Sequence, residues 1–153
     1  MDRTTKIGLA QAVLNYEFQN EDLLWEALQA PGSSVATLNG RTLTQGNKGL
    51  ATLGDAVATL VIKLDCYAMN RSIGETATVL QRAVNNSRFA FLCDKTGLTA
   101  CVNHNPSQGG TVSPRTRADT LEAVIGAVYQ DGGIDSARAA MQSLQVIGYG
   151  EFW

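Results

Sequence analysis

The sequence has little of what zinc sites, disulfide scaffolds and cysteine enzymes need. It holds three cysteines and one histidine in 153 residues. Cys66, Cys93 and Cys101 lack the close paired spacing of a zinc site, and an odd number of cysteines without a signal peptide predicts reduced thiols. His104 lies in a segment with the composition of a loop, where nothing fixes a thiol beside it. We therefore expect neither a zinc site nor a cysteine nucleophile, and an intracellular protein of the cytoplasm or nucleus rather than an organelle.

Long apolar runs and an excess of basic residues are also missing. No run approaches the roughly 20 apolar residues that span a bilayer, so we expect no membrane partner. Twelve basic and fourteen acidic residues give a net charge of −2, which argues against a general nucleic-acid coat protein but leaves room for a local basic patch. With 44% hydrophobic and 17% charged residues, the composition is that of a folded chain, and the length predicts a single domain over residues 1–153.

Helical periodicity is what the sequence has in abundance. Apolar residues recur at helical spacing, and no segment alternates as a strand does. Asn20 and Ser113 are typical helix caps, Pro114 suits a first helical position, and Ser72 with Glu75 forms a capping-box pattern. The predicted helices cover residues 5–14, 21–30, 47–70, 73–84, 88–95, 114–131 and 135–147, with loops over 31–46 and 102–113. The sequence thus predicts an all-α fold of about seven helices.

Three carboxylates lie in unusually apolar stretches. Asp119 and Glu122 are three residues apart and share one face of their helix, while Asp55 lies among small and apolar residues of the long central helix. An ionised carboxylate in such a setting needs a cation or strong donors. If the two helices cross, the three groups form an oxygen-only cluster of the kind that suits Mg²⁺ or Mn²⁺ near a phosphate. Spacing alone favours the plainer interpretation of a solvated face, or of pairing with Arg115 and Arg117.

Five segments of the chain follow a known order of motifs. Residues 47–56, NKGLATLGDA, follow the pattern N-E-R-L-E-F-L-G-D and a small residue, with several departures. Residues 118–133, ADTLEAVIGAVYQDGG, follow A-D-x-x-E-A-x-I-G-A-x-Y-x-D-G-G nearly throughout. Gly74-Glu75 and Val84-Asn85-Asn86 lie between them, and residues 16–28 look like an opening helix. In this order the segments resemble the ribonuclease III catalytic (endonuclease) domain over nearly the whole chain.

The resemblance implies a helical endonuclease domain, paired as a homodimer, that cleaves double-stranded or structured RNA with Mg²⁺ or Mn²⁺. Carried over by position, Asp55, Asp119 and Glu122 are the catalytic acids and metal ligands, with Glu122 a direct ligand and Asp55 and Asp119 acting directly or through bound water. We expect no double-stranded-RNA-binding domain. Duplex RNA is held mainly through its backbone, and the arginines near the motifs are candidate RNA contacts, with surface solvation as the ordinary alternative: Arg82, Arg88, Arg115 and Arg117.

Several departures from the family pattern fall in its first block. The second glutamate of the pattern, the fourth member of the acidic cluster, is Ala51, and the preceding Glu-Arg pair is Lys48-Gly49. The loss at Ala51 leaves both a weakened and an inactive enzyme open, because Mg²⁺ accepts water in place of a carboxylate oxygen. The three retained acids favour cleavage. The alternative is a catalytically inactive protein of this fold that binds RNA or helps to assemble a ribosome or another ribonucleoprotein.

Aromatic residues near both ends of the sequence are candidates for a dimer surface. They are Tyr16, Phe18 and Trp25 near the start and Phe152 and Trp153 at the end. Large apolar side chains of this kind bury easily against a second copy of the chain. Core packing is the more ordinary prediction for each of them.

Overall fold

Seven α-helices build residues 1–148, the part of the chain that the computed structural model describes. The all-α prediction is confirmed. Two short 3₁₀ turns, Leu98–Cys101 and Pro106–Gln108, and one two-stranded hairpin complete the described fold. The helices are α1 Arg3–Leu14, α2 Glu21–Ala27, α3 Lys48–Ala68, α4 Ile73–Ala83, α5 Asn86–Thr96, α6 Pro114–Gly132 and α7 Ile134–Ser143.

The predicted loop over residues 31–46 contains a small hairpin, which corrects the expectation that the chain has no strand. Strand β1, Thr37–Leu38, pairs antiparallel with β2, Arg41–Thr42. Asn39 and Gly40 join them, and both have positive φ, at 57° and 74°. Asn-Gly is the sequence that such a tight turn favours, but strands of two residues are too short to show alternation.

Helix ends also differ by a few residues from the prediction. Helix α1 begins earlier, at Arg3, because the side chain of Asp2 accepts a hydrogen bond from the Thr5 amide. Helix α5 begins at Asn86, since the Asn85 side chain caps it. Helix α7 ends at Ser143 rather than near residue 147, because Gln145 adopts the left-handed conformation with φ 66°. In each case the local cap, rather than hydrophobic periodicity, sets the boundary.

Helix α6 is the centre of the molecule. Every residue from Ala118 to Val128 is buried, since α2, α3, α5 and α7 all pack against this helix. A helix that is buried all round is normally apolar on every side. Asp119, Thr120 and Glu122 are polar residues inside this stretch, so their surroundings must supply partners for them.

Two glycines let α3 and α6 approach backbone to backbone. A Cβ atom on Gly54 would overlap the carbonyl oxygen of Glu122, and one on Gly126 would lie 2.6 Å from the carbonyl oxygen of Leu50. Only glycine fits such a contact. The close crossing brings Asp55, the residue after Gly54, beside Glu122.

Asn47 ties the start of α3 to two other helices. Its side chain is buried, and Nδ2 donates to the carbonyl oxygen of Ala27 at 2.8 Å and to Oγ1 of Thr120 at 2.9 Å. These bonds link α2, α3 and α6 at one point. Because both N–H donors of this buried amide are hydrogen-bonded, they fix the orientation of the three helices as well as the distances between them.

The aromatic residues near the start of the chain pack into the core instead of forming a dimer surface. Phe18 and Trp25 are buried, and Tyr16 is half-buried with its ring edge-on to Phe18 at 5.0 Å between centroids. The ordinary prediction, core packing, therefore holds for these three. Phe152 and Trp153 lie outside the described residues.

All three cysteines are free and buried. Burial raises the pKa of Cys93 to about 12 and that of Cys101 to about 11, so these thiols are poor nucleophiles at neutral pH. His104 lines a pocket with Lys6 and Arg117. Within residues 1–148, no helix combines the length and apolarity that crossing a bilayer requires.

Candidate active site

The crossing of α3 and α6 brings the three predicted carboxylates into one open pocket. Asp55 comes from α3, and Asp119 and Glu122 come from α6. The pocket has a volume of about 400 Å³. Its other lining residues are Gln45, Lys48, Ala51, Thr52, Asn86 and Arg115.

Asp55 and Glu122 form the acidic pair of this pocket. Asp55 is exposed, whereas Glu122 is 9% exposed. Burial raises the pKa of Glu122 to about 8, and the hydrogen bond with Asp55 and the negative charges of Asp55 and Asp119 add to that rise. Two neighbouring carboxyl groups cannot both ionise freely. At neutral pH and without a cation, the Glu122 carboxyl therefore holds a proton.

Asp119 is held differently, between two cationic side chains. Lys48 Nζ lies 3.0 Å from Oδ2, and Arg115 Nε lies 3.3 Å from Oδ1. The Asp119 side chain is 7% exposed. Lys48 is the first residue of α3, and Arg115 stands one turn before Asp119 on α6. Each oxygen of this buried carboxylate thus faces one positive group.

The donor set of the pocket fits a hard cation that keeps much of its water. The acidic side chains of the pocket offer only oxygen atoms as ligands, and Mg²⁺ and Mn²⁺ prefer oxygen ligands. Within residues 1–148, no three acidic, histidine or cysteine side chains converge closely enough to enclose a metal ion alone. Asp55 and Glu122 could hold such an ion from one side, and water would complete its coordination in the open pocket.

Ala51 lines the pocket and is 5% exposed. It lies one helical turn before Asp55, so the two residues share a face of α3. A carboxylate at position 51 would therefore reach the same pocket. Alanine fits a buried helical position well, so it leaves the helix undisturbed there.

Four pocket residues were not predicted as site residues: Gln45, Lys48, Thr52 and Asn86. Lys48 has a sequence signal, because it precedes Asp55 by seven residues and so lies on the same face of α3. Asn86 begins α5 and belongs to the Val84-Asn85-Asn86 motif. Gln45 lies in the loop before α3, where no periodicity assigns a direction to its side chain.

Of the four candidate RNA-contact arginines, the structure brings one to the acids. Arg115 lines the acidic pocket, and Arg82 is exposed in the last turn of α4. Arg88 donates to three backbone carbonyls, and Arg117 pairs with Asp94 in another pocket. The carbonyl partners of Arg88 are Ala83 at 2.9 Å, Gln145 at 2.9 Å and Val146 at 3.1 Å.

Helix α3, which lines the acidic pocket with one face, carries an exposed apolar row on another. Leu60, Leu64 and Tyr67 are exposed, and Tyr67 is 88% accessible. Their spacing of four and three residues places them on one side of the helix. Asp55 and Ala56 are exposed on α3 at the end nearer the pocket. Large apolar side chains in a row on a surface commonly mark an interface.

The chain is similar to known ribonucleases along most of its length. The family model described as ribonuclease-III-like matches residues 20–146. Ribonuclease 3 of Caldanaerobacter subterraneus subsp. tengcongensis is 31% identical over 136 residues, which cover 86% of this chain and 58% of that protein. Ribonuclease 3 of Symbiobacterium thermophilum is 32% identical over 131 residues, covering 82% of this chain and 53% of that protein.

A solved structure agrees with this similarity. The nuclease domain of ribonuclease III from Campylobacter jejuni matches with a TM-score of 0.75 and 25% identity, and the match covers 91% of this chain and 96% of that one. That domain is structurally flexible in a region involved in dimer formation. The chain spans a little over half the length of these curated relatives, at 58% and 53%, and its fold is similar to that of the Campylobacter jejuni nuclease domain.

Proposed function

The chain belongs to the ribonuclease-III-like family, and on that premise we propose that it is a metal-dependent endoribonuclease that cleaves double-stranded or structured RNA. The observation that carries the proposal is the pocket shared by Asp55, Asp119 and Glu122. Gathering three carboxylates at one place opposes folding unless they have cations to hold. The match to a ribonuclease-III-like family supports the proposal that the three carboxylates serve to hold cations.

Asp55 and Glu122 are the groups through which the site would hold Mg²⁺ or Mn²⁺, because their oxygens face the pocket side by side. When bound, the ion supplies an activated water and neutralises charge that develops on the phosphate. Arg115 and Lys48 face the same space and would bind phosphate oxygens. In the hydrolysis, the water oxygen bonds to phosphorus, one P–O ester bond breaks, and the leaving oxygen takes a proton.

An RNA backbone suits the shape and chemistry of this pocket. The pocket is open to solvent and lined mainly by polar and charged side chains, so a phosphate on an extended polymer can enter it from the surface. Duplex RNA is recognised mainly through phosphates and 2′-hydroxyl groups rather than base edges. Lysine, arginine, asparagine and glutamine, all present at the rim, are the side chains that make such contacts.

A homodimer is the assembly that we propose for the active protein. The row of Leu60, Leu64 and Tyr67 would bury its apolar surface against a second copy of the chain. The row lies on α3, the helix that carries Asp55, so pairing along it would place two pockets on one assembly, one for each strand of a duplex. The involvement of one region of the Campylobacter jejuni domain in dimer formation supports this assembly.

Cleavage of a duplex RNA in Mg²⁺ and in Mn²⁺ tests the proposal. We expect endonucleolytic cleavage that Glu122→Gln and Asp55→Asn each reduce by roughly 100-fold or more, since both supply metal ligands. Glu17→Gln, a change at an exposed glutamate outside the pocket, is the matched control and should cleave as the wild type does. Ala51→Glu is expected to lower the metal concentration needed for half-maximal cleavage. Wild-type protein that is inert with both ions, while Ala51→Glu cleaves, would contradict native activity.

The Lys48–Asp119 ion pair and Ala51 favour a second function, that of a catalytically inactive subunit that binds RNA or assembles a ribonucleoprotein. Both features reduce the negative charge that a divalent ion would meet. This function predicts that the wild type retains duplex RNA in a gel-shift titration but leaves it intact in either metal. Neutralising Lys48 and Arg115 together should weaken that binding and its salt dependence.

A further inference from the structure

Lys48 reaches the acidic pocket from a helix end that is electrostatically unfavourable for a cation. It is the first residue of α3, where the helix presents the positive end of its dipole and disfavours a cation. Its Nζ nevertheless lies 3.0 Å from Oδ2 of Asp119, which is 71 residues further along the chain. Only a strong partner offsets the unfavourable position, and the buried Asp119 carboxylate is that partner.

Asp119 is already compensated by the protein's own cations. Lys48 faces one of its oxygens, and Arg115, at 3.3 Å, faces the other. A divalent ion that took Asp119 as a ligand would have to displace one of these groups, or approach it against like-charge repulsion. Asp55 and Glu122 have no such cation at hydrogen-bonding distance among the described residues.

Two positions make the face of α3 that borders the pocket less acidic. Position 51 offers no carboxylate, and position 48, one turn earlier on the same face, offers an ammonium group. Each feature alone makes the pocket less attractive to a divalent ion. Together they leave Asp55 as the only carboxylate that α3 brings to the pocket, beside Glu122 of α6.

We propose that Lys48 is a built-in cation of the site, which makes Asp119 a positioning residue and leaves Asp55 and Glu122 as the carboxylate ligands of a divalent ion. This inference rests on the proposed function for the presence of that ion. Asp119 acts through Lys48, whose ammonium group has three donors, one of which is bonded to Asp119. The others are available to a phosphate oxygen in the pocket. The pair thus supplies a fixed positive charge without a metal.

A charge-neutral pair of substitutions tests the inference by Mn²⁺ titration, with free Mn²⁺ followed by electron paramagnetic resonance. Lys48→Gln is expected to tighten Mn²⁺ binding about tenfold, because it frees Asp119 and removes a like charge. The double variant Lys48→Gln/Asp119→Asn restores the wild-type charge and should bind within about threefold of the wild type. Glu122→Gln should weaken binding about tenfold or more.

Two further variants control for folding and for general charge effects. Lys48→Arg keeps the positive charge and should bind Mn²⁺ as the wild type does. Lys63→Gln makes the same charge change at an exposed position of α3 and should alter the Kd less than about threefold, since solvent screens it. A Lys48→Gln variant that binds no tighter than Lys63→Gln overturns the inference.

The outcomes separate this inference from the proposed function. If the charge-neutral double variant loses roughly tenfold or more in Mn²⁺ affinity, Asp119 is itself a ligand and the inference alone fails. If the expected Mn²⁺ pattern appears but duplex RNA is never cleaved, the enzymatic proposal fails and the inference stands. If no variant binds Mn²⁺, the inference and the metal dependence of the proposed function fail together.

Discussion

Glu26 is a buried carboxylate that the proposed chemistry does not use. It is 1% exposed, and neither of its oxygens accepts a hydrogen bond from the described residues. Arg41 Nη2 lies 3.5 Å from Oε2. Burial raises the pKa of Glu26, and the charge of Arg41 offsets part of that rise. Because the folded state holds the proton more tightly than the unfolded state, ionisation of Glu26 lowers stability as the pH rises through its pKa range.

Replacing Glu26 by glutamine should therefore stabilise the protein at neutral pH. We expect Glu26→Gln to raise the free energy of unfolding by about 1 kcal/mol near pH 7, the order of the penalty for a buried polar group without a partner. The gain should shrink as the pH falls towards the ordinary glutamate pKa, where the native side chain is also neutral. Urea denaturation at several pH values measures it. Glu21→Gln, at the exposed start of the same helix, should show no such gain.

The three acids of the pocket and the pairing of Asp119 with Arg115 could be predicted from sequence, but the second partner of Asp119, Lys48, could not. Asp119 and Glu122 share a helix face by spacing, and motif similarity adds Asp55. The ion pair between Lys48 and Asp119 joins residues 71 positions apart, and it depends on how closely α3 and α6 cross. No local pattern encodes the reach of a flexible lysine across that distance.

Helix α6 meets α3 through backbone atoms, so added bulk there should separate the two helices. We expect Gly126→Ala to lower the free energy of unfolding by about 2 kcal/mol, the usual range for overpacking, since its Cβ would lie 2.6 Å from the carbonyl oxygen of Leu50. Gly74→Ala in α4 is the matched control, because no atom lies closer than 4.0 Å to its added Cβ. It should be neutral or slightly stabilising. Equal effects of the two changes would show that the crossing tolerates a side chain.

Arg88 joins the end of α4 to the segment after α7, and this role should appear in stability. We expect Arg88→Gln to lower the free energy of unfolding by about 2 kcal/mol, because three carbonyl oxygens lose a charged donor. Arg82→Gln, at an exposed position, should change it by less than about 0.5 kcal/mol. Thermal denaturation and duplex RNA binding should be measured side by side. Unchanged stability with weakened RNA binding in Arg88→Gln would instead support the RNA-contact prediction.

The elements themselves were largely predictable, because caps and hydrophobic periodicity act locally. Ser72 and Glu75 form the predicted capping box, and Ser113 caps α6 before Pro114. The hairpin was missed because its strands have two residues each. Helix α7 ends before its apolar residues do, since Val146 and Ile147 are buried beyond the helix. Periodicity cannot separate a helix from a packed loop that follows it.

At the scale of the whole molecule, the apolar row on α3 predicts how two copies associate. We expect a dimer at micromolar concentration and a rise in its Kd of roughly tenfold or more, about 1.4 kcal/mol, for Leu64→Lys. Leu9→Lys, at an exposed leucine of α1, should leave the dimer unchanged. Light scattering over a concentration series measures both. A monomeric wild type, or equal effects of the two changes, would contradict pairing through α3.

The candidate dimer surface was the feature whose location the sequence predicted least well. Phe18 and Trp25 were candidates for the dimer surface because they are large and apolar, but the same property buries them in the core. Apolarity predicts that a side chain leaves water, and it does not say whether the chain's own core or another copy covers it. Only the packed fold distinguishes Trp25 from Tyr67.

The backbone contact between Gly54 and Gly126 also bears on how such a protein can evolve. Because main-chain atoms hold α3 against α6, the frame of the site does not depend on the side chains that face the pocket. Ala51 and Lys48 could therefore arise without loss of the fold, and substitutions there could restore an acidic face just as readily. A protein built on this frame would therefore stay folded while metal ligands in its pocket are gained or lost.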